Sequence, residues 1–250
     1  AADSRRLVLA EETGRISVEM VSKGTKPSNI LTKAAFTNAI KVLLAMGGST
    51  NAVIHLIAIA GRLGIKLELD TFDKLSRKIP VIVNLKPTGK YLMEDFFYAG
   101  GIKTLLYEMR NLLDLEVKTI SGNALGNNVT KPDYNTSEII KSINDPIFNE
   151  GGLAVLKGSL APNGAIIKHS AASKNLLHHT GKAVVFENSE DLKNRIDQPD
   201  LDINKDDIMV MKNSGPIGGP GMPESGYLPI PKKLLESGVR DMIRISDARM

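Results

Sequence analysis

The first part of the chain alternates between apolar residues at helical spacing and short continuous apolar runs. The helical spacing predicts helices at Arg5–Val21, from a Thr32 cap through Leu44, from Ser49 or Thr50 to about Leu63, after Thr71, at Met93–Ala99 and at Ile102–Leu112. The continuous runs Val81–Leu85 and Val117–Ile120 are typical of buried strands. This alternation predicts an α/β class, with a mostly parallel sheet covered by helices as in part of an α/β/α sandwich.

A polar stretch from Asn123 to Asn149 separates this part from the rest. We predict a domain boundary there, between an α/β domain at 1–146 and a β-rich domain at 147–250. Short apolar runs bounded by turn residues predict strands at Leu153–Lys157, Ala165–Lys168, Ala183–Phe186, Ile208–Met211 and Met242–Ile245, with helices at Ser189–Ile196 and Pro231–Glu236. The second domain is expected to be a barrel-like, swivelling sheet. The abrupt ends of the chain favour an internal piece in which both domains are incomplete.

Charge and composition narrow the class of protein. The formal net charge is +4, but 32 basic residues are scattered among 28 acidic ones and aromatic residues make up 4% of the chain. Nucleic-acid binding is therefore disfavoured, because it usually needs a basic stripe or a stacking platform. No segment reaches the roughly 20 apolar residues of a membrane span, and no signal pattern opens the chain, so a cytoplasmic location is expected.

The chain has no cysteine and four histidines. A disulfide scaffold, a thiolate metal site and a cysteine nucleophile are therefore excluded within it. The His178–His179 pair lies in a polar turn and is interpreted as solvated. His55 lies on an apolar helix, where a buried core histidine with satisfied hydrogen bonds is the expected role.

A loop from Asn213 to Glu224 holds four glycines and three prolines, which specify its backbone path. Such a loop, ending in the carboxylate of Glu224, suits the presentation of an oxygen ligand to Mg²⁺. The alternative is a rigid turn with an exposed glutamate.

Two further segments are candidates for binding an acid. Ser49, Thr50 and Asn51 follow two glycines at a predicted helix start, where backbone N–H groups attract carboxylates and phosphates. The alternative is a plain capping turn. Asp247 and Arg249 follow an apolar strand, a place that often faces a ligand crevice in open sheets. The alternative there is an ordinary surface ion pair.

Several motifs together resemble the dihydroxy-acid and 6-phosphogluconate dehydratase family. In order along the chain they are Gly47–Val53, Asp73–Pro80, Tyr91–Asp95 with Ala99–Gly101, Gly151–Gly158, Gly218–Glu224 and Arg240–Met250. The resemblance covers essentially the whole chain. It implies loss of water from a 2,3-dihydroxy acid to give a 2-keto-3-deoxy acid.

The resemblance also implies the cofactors. In the family an iron–sulfur cluster acts as Lewis acid, Mg²⁺ holds the substrate and a serine is the base. Glu224 matches a family Mg²⁺ ligand, and Ser49, Thr50, Asn51, Asp247 and Arg249 are candidates for lining the substrate site. The family's cluster cysteines and other Mg²⁺ ligands belong to segments before this chain, and the base serine is expected immediately after Met250, so the chain alone is expected to be inactive.

The stretch from Pro223 to Leu234 resembles the sugar-acid branch, whose substrates are aldonates such as arabinonate or xylonate. Two alternatives remain: a branched-chain dihydroxy-acid dehydratase of amino-acid biosynthesis, and a non-catalytic remnant that binds Mg²⁺ or a carboxylate. Flanking gene sequence with cysteines upstream and Ser-Gly after Met250 would favour the dehydratase, whereas a native stop codon there would favour the remnant. The family resemblance further implies a homodimer or homotetramer at full length, acting on a small-molecule sugar acid.

Overall fold

The computed structural model describes residues 4–132, 138–215 and 226–249. Within these ranges the helices are α1 (Arg5–Ser22), α2 (Pro27–Ile30), α3 (Lys33–Ala45), α4 (Thr50–Arg62), α5 (Leu69–Ser76), α6 (Met93–Tyr98), α7 (Gly101–Glu108), α8 (Ser189–Arg195) and α9 (Lys232–Glu236). The strands are β1 (Ala154–Leu156), β2 (Ala165–Ile167), β3 (Ala183–Phe186), β4 (Ile208–Met211) and β5 (Arg244–Ser246). The predicted α/β class is confirmed. Short 3₁₀ turns at Arg110–Leu112 and elsewhere join some of these elements.

The predicted helices are all present, and local chemistry explains several of their ends. Thr32 caps α3, because its hydroxyl accepts a hydrogen bond from the backbone N–H of Ala35 at 3.2 Å. The helix α1 has the predicted bounds to within a residue, yet it buries none of its side chains, and Leu7 is 76% exposed. Its apolar spacing therefore identified a helix without identifying a buried face.

The predicted strand at Val81–Leu85 is wrong as a strand, although its residues are as buried as expected. Ile82 is fully buried in the core. The backbone N–H groups bond to several separate segments instead of one neighbouring strand: Val81 to the carbonyl of Phe148, Ile82 to that of Ala45 and Asn84 to that of Ile139, each at 2.9 Å. Because every buried donor finds a partner this way, isolated bridges replace a continuous ladder.

The predicted strand at Val117–Ile120 is also wrong. Its single bridge joins Lys118 to Ala124, and the Thr119 N–H bonds to the carbonyl of Asn123 at 2.8 Å. The segment thus folds back on the residues that follow it. No multi-stranded parallel sheet occurs among residues 4–132, contrary to the prediction for this part of the chain.

The parallel sheet lies instead in the second half, where β3, β4 and β5 pair in that order and in parallel. Parallel neighbours need a crossover connection, and the segments containing α8 and α9 provide the two crossovers. The strands β1 and β2 form a separate antiparallel pair. The predicted strands of this half are confirmed to within about two residues at each end, and a barrel-like closure remains a prediction.

The described residues form two hydrophobic cores. The first is built around residues such as Ile40, Phe72, Ile82 and Leu105, and it also includes Ile140 and Leu153. The second surrounds the parallel sheet, with Phe186, Met209, Met211 and Leu228 at its centre. The packing of Leu153 against the first core places residues on both sides of position 146 in one cluster, and the domain boundary at 146 remains a prediction.

Candidate functional site

The carboxyl ends of β3, β4 and β5 meet at one edge of the parallel sheet, because the strands run in the same direction. The residues that follow these strands are tied to one another there. Lys212 pairs with Glu187 at 2.8 Å, and the side-chain amide of Asn213 donates to the Glu187 carbonyl at 3.0 Å. Asn213 has a φ of 54°, in the left-handed region that asparagine tolerates better than most residues.

The segment 247–249 holds both flanks of the glycine-rich loop. On one side, the carboxylate of Asp247 accepts a hydrogen bond from the backbone N–H of Ser214 at 3.0 Å. On the other, the N–H of Gly226 donates to the carbonyl of Arg249 at 2.8 Å. Residues 216–225, which include the predicted metal ligand Glu224, lie outside the described residues, as does Met250. The described flanks therefore anchor this loop to the strand end that carries Asp247 and Arg249.

The glycines at these flanks are required by close backbone approach. A Cβ atom on Gly215 would lie 2.3 Å from the carbonyl oxygen of Asp247, and one on Gly226 would lie 2.3 Å from that of Arg249. Neither contact is possible for a real side chain. Gly215 within the loop and Gly226 just beyond it thus serve packing against the segment 247–249.

Arg249 reaches from the sheet edge to helix α4, where its guanidinium donates a hydrogen bond to Nε2 of His55 at 2.5 Å. The interpretation of His55 as a buried core residue is wrong: it is exposed on the face of α4 that Arg249 approaches. The helical pattern predicted an apolar helix, but it could not show that His55 faces the segment after β5.

Ser49, Thr50 and Asn51 lie at the start of α4, as predicted, and Thr50 is its first residue. Ser49 occupies the cap position without a side-chain hydrogen bond to the helix. The positive end of the helix dipole lies at this turn. Arg249 contacts α4 at His55, five residues after Thr50 begins the helix.

Lys168 is a residue of this region that the sequence reasoning missed. It follows β2 directly, and its ammonium group donates to the carbonyl of Gly48 at 2.7 Å, just before α4. Burial lowers the pKa of Lys168 from its usual value. Its position, a charged residue immediately after an apolar strand, is the signal that singled out Asp247 and Arg249, and it could have been applied here.

An apolar groove of about 440 Å³ lies elsewhere, between α3, α4 and α7. It is lined mainly by aliphatic side chains, including those of Val42, Leu43, Leu56 and Leu106, and no charged residue lines it. A charged, hydroxylated ligand would lose its hydration there without gaining hydrogen bonds. The guanidinium group of Arg249 and the polar residues at the start of α4 suit an acid better.

Among the described residues, no three His, Asp or Glu side chains lie close enough together to hold a metal ion. The whole chain lacks cysteine, so it offers no thiolate for an iron–sulfur cluster. Glu224 belongs to the loop outside the described ranges, and its predicted role as a ligand is untested. No described helix has the length and apolar character needed to cross a bilayer.

Comparison with known proteins identifies two family models along the chain. The model described as dihydroxy-acid/6-phosphogluconate dehydratase N-terminal matches residues 1–128, and the corresponding C-terminal model matches residues 138–250.

Individual relatives agree with these matches. The chain is 52% identical over 250 residues to L-arabinonate dehydratase of Rhizobium leguminosarum bv. trifolii, with 99% of this chain and 43% of the relative covered. It is 49% identical to L-arabonate dehydratase of Azospirillum brasilense, with 100% and 43% covered. It is 42% identical to dihydroxy-acid dehydratase of Methanococcoides burtonii, with 90% and 41% covered. The chain thus spans less than half the length of the curated relatives that it matches.

Proposed function

This chain belongs to the dihydroxy-acid/6-phosphogluconate dehydratase family, and from that premise we propose that it is part of a hydro-lyase acting on a sugar acid. The reaction removes the proton on C2 and the hydroxyl on C3 of a 2,3-dihydroxy acid as one molecule of water. The resulting enol rearranges to a 2-keto-3-deoxy acid. Atoms balance with water as the only by-product.

The observation that carries this proposal is the contact between Arg249 and α4. It brings a guanidinium group from the sheet edge to a helix whose N-terminal turn carries Ser49, Thr50 and Asn51. A cation and a helix N-terminus both favour a carboxylate, and hydroxyl and amide side chains suit the hydroxyl groups of an aldonate. We assign these three residues, with Asp247 and Arg249, to the substrate site.

The choice of a sugar acid over a branched-chain acid has two supports. The relatives at 52% and 49% identity are named arabinonate or arabonate dehydratases and one at 48% is named only a putative dehydratase, whereas the dihydroxy-acid dehydratase is 42% identical. The polar turn before α4 also offers more hydrogen-bonding groups than an aliphatic substrate tail would use. Branched-chain dihydroxy-acid dehydration is the second candidate, because the motifs are shared by both branches.

The cofactors are a separate part of the proposal. The absence of cysteine means that the residues of this chain do not fit an iron–sulfur cluster, so its ligands would come from outside the chain and we assign no step to it. Glu224 is proposed as one oxygen ligand of Mg²⁺, which would orient the substrate and stabilise negative charge on it. The loop anchored by Gly215 and Gly226 on the segment 247–249 supports that role, since it ties the loop to the proposed site.

The alternative of a non-catalytic remnant keeps the same pocket without turnover. It would bind Mg²⁺ or a carboxylate through Glu224 and Arg249 and release the ligand unchanged. The Arg249 contact alone does not distinguish a binding protein from an enzyme.

A substrate panel tests these candidates on the full-length protein. The 2-keto acid formed from L-arabinonate, D-xylonate and 2,3-dihydroxyisovalerate is measured with Mg²⁺ present. We expect kcat/KM for at least one pentonate to exceed that for dihydroxyisovalerate by tenfold or more, on the order of 1.4 kcal/mol in transition-state binding. Preference for dihydroxyisovalerate would favour the branched-chain candidate. Binding of all three acids without any keto product would favour the remnant.

A further inference from the structure

We propose that Lys168 is a positioning residue, whose hydrogen bond to Gly48 holds the turn that carries the proposed substrate-binding residues. The inference rests on the proposed function, since it assigns Lys168 to the turn before α4. The two partners are 120 residues apart in the chain and are joined at 2.7 Å. Lys168 stands directly after β2, so a short strand presents it to the turn.

The turn needs such a contact because its backbone is built on two successive glycines. Gly47 has a φ of 75° and Gly48 a φ of 56°, both in the left-handed region. They reverse the chain between the end of α3 at Ala45 and the start of α4 at Thr50. Glycine adopts this conformation readily but also loses the most conformational freedom when it is fixed. Contacts from elsewhere in the molecule must therefore hold the turn in one arrangement.

Lys168 makes one such contact, since it bonds to the carbonyl of Gly48 at 2.7 Å. The next two side chains bond to a second pair of glycines: His169 to the carbonyl of Gly151 at 2.8 Å and Ser170 to that of Gly152 at 3.2 Å. The three consecutive residues therefore join Gly48 to the Gly151–Gly152 pair from a distant part of the chain.

The two glycine pairs also contact each other. A Cβ atom on Gly152 would lie 3.0 Å from the carbonyl oxygen of Gly47, so a side chain there would push the turn away. The turn is thus packed against Gly152 on one side and held by the Lys168 ammonium group on another. Loss of either contact would free the residues that begin α4.

The charge of Lys168 is not needed for packing. No carboxylate lies within 4.0 Å of its ammonium group among the described residues, and burial disfavours its charged form. A methionine of similar length would avoid that desolvation cost. The feature that only the lysine provides is a charge-assisted hydrogen bond to the turn, and this explains its presence better than filling space does.

Lys41 provides a matched control. Its ammonium group also donates to a backbone carbonyl, that of Leu112, at 2.6 Å and in a partly buried position. It lies on α3, and its hydrogen bond involves no residue of the turn before α4. Lys41→Met therefore removes the same kind of contact from the same core without touching the proposed site.

The first test is kinetic and uses the full-length protein with Lys168→Met, Lys168→Arg and Lys41→Met. We expect Lys168→Met to raise KM for the preferred pentonate by roughly tenfold or more, with a smaller change in kcat, because a displaced turn binds ground state and transition state alike less well. Lys168→Arg retains a charged donor and should recover most of the affinity. Lys41→Met should leave KM within twofold of the wild type. An unchanged KM in Lys168→Met would overturn the proposal.

The second test does not depend on activity. Hydrogen exchange of the backbone amides at 49–53 is followed in the 250-residue chain, with the amides of β4 as internal reference. Faster exchange at 49–53 in Lys168→Met, but not in Lys41→Met, is expected. If the full-length wild type dehydrates no acid, the proposed function fails, and this exchange measurement still decides whether Lys168 holds the turn. Equal exchange in both variants would overturn the positioning role.

If Lys168→Met unfolds, Lys168→Gln replaces it in both the kinetic and the hydrogen-exchange experiment. Glutamine keeps a hydrogen-bond donor but lacks the positive charge. A rise in KM of a few fold with faster exchange at 49–53 would support the role of the ammonium group. Wild-type values for both measurements would contradict it.

Discussion

The guanidinium group of Arg249 donates a hydrogen bond to Nε2 of His55 and so joins the edge of the parallel sheet to helix α4. The two residues are 194 positions apart; His55 lies on α4, and Arg249 lies three residues after the end of β5. The contact therefore links the segment that carries Asp247 to the helix that begins after Ser49. Changes on either side are expected to affect binding at the other.

Arg249→Met in the full-length protein is expected to lower kcat/KM for the preferred acid by roughly ten- to a hundredfold, because a charged hydrogen-bond donor is lost from the proposed site. His55→Leu should cause a smaller loss, since it removes the partner that orients Arg249 but not the charge. A double-mutant cycle measures their coupling. Additive effects on kcat/KM would show that Arg249 and His55 act independently. Arg240→Met, at an exposed position, serves as the control.

Glu224→Gln in the full-length protein is expected to keep the fold but to weaken Mg²⁺ binding and turnover, because it replaces an anionic oxygen ligand with a neutral amide. The measurement is the Mg²⁺ dependence of aldonate dehydration. Glu236→Gln, at the exposed end of α9, is the control. If the Glu224 variant dehydrates the aldonate at the wild-type rate at low Mg²⁺, Glu224 is not a ligand, and the loop is a rigid turn with an exposed glutamate.

The 250-residue chain by itself is expected to show neither the absorbance of an iron–sulfur cluster nor turnover of any aldonate. The reason is chemical: without a thiolate the chain cannot ligate the cluster that would act as Lewis acid. Reconstitution with iron and sulfide is followed by visible absorption, with the full-length protein treated in parallel. Cluster absorbance or keto-acid formation by the chain alone would contradict this expectation.

Gly226→Ala is expected to destabilise the chain by about 1–3 kcal/mol, because the new Cβ would lie 2.3 Å from the Arg249 carbonyl oxygen and the backbone must move. Gly61→Ala provides the opposite control. It lies inside α4, nothing lies within 4 Å of its added Cβ, and it should stabilise by about 0.5–1 kcal/mol. Urea unfolding measures both changes, and equal effects of the two substitutions would rule out the close approach at Gly226.

The pH dependence of stability should report the burial of Lys168. Its pKa is lower in the folded than in the unfolded chain, so the unfolded chain binds more protons between the two values. The contribution of Lys168 to the free energy of unfolding therefore rises with pH from below the lowered pKa up to about 10.5, and the full cost of burying the charge remains at lower pH.

This rise in the free energy of unfolding should be absent in both Lys168→Met and Lys168→Arg. Methionine does not titrate, and arginine keeps its charge throughout the range. Urea unfolding of the three proteins at several alkaline pH values measures the difference. Parallel curves for the wild type and both variants would show that Lys168 titrates alike in the folded and unfolded chain.

Local sequence patterns determined most of the elements. The Thr32 cap and the apolar spacing after it fixed α3, and the run Ile208–Met211 fixed β4, because caps and side-chain periodicity act within a few residues of one another. The ordered motifs identified the family, and the missing cysteines excluded thiolate ligands within the chain. The apolar run before Asp247 and Arg249 was enough to predict that both residues follow a strand.

Tertiary structure decided how these elements combine. The buried run at Val81–Leu85 had the apolar character of a strand, but its backbone donors bond to Ala45, Ile139 and Phe148, and pairing with distant segments is not encoded in a local pattern. The same holds for the contacts of Arg249 with His55 and of Lys168 with Gly48. The sequence by itself singled out candidate residues for binding an acid, whereas the contacts of Arg249 and Lys168 around α4 depend on long-range packing, where backbone and side-chain groups compete for partners across the whole fold.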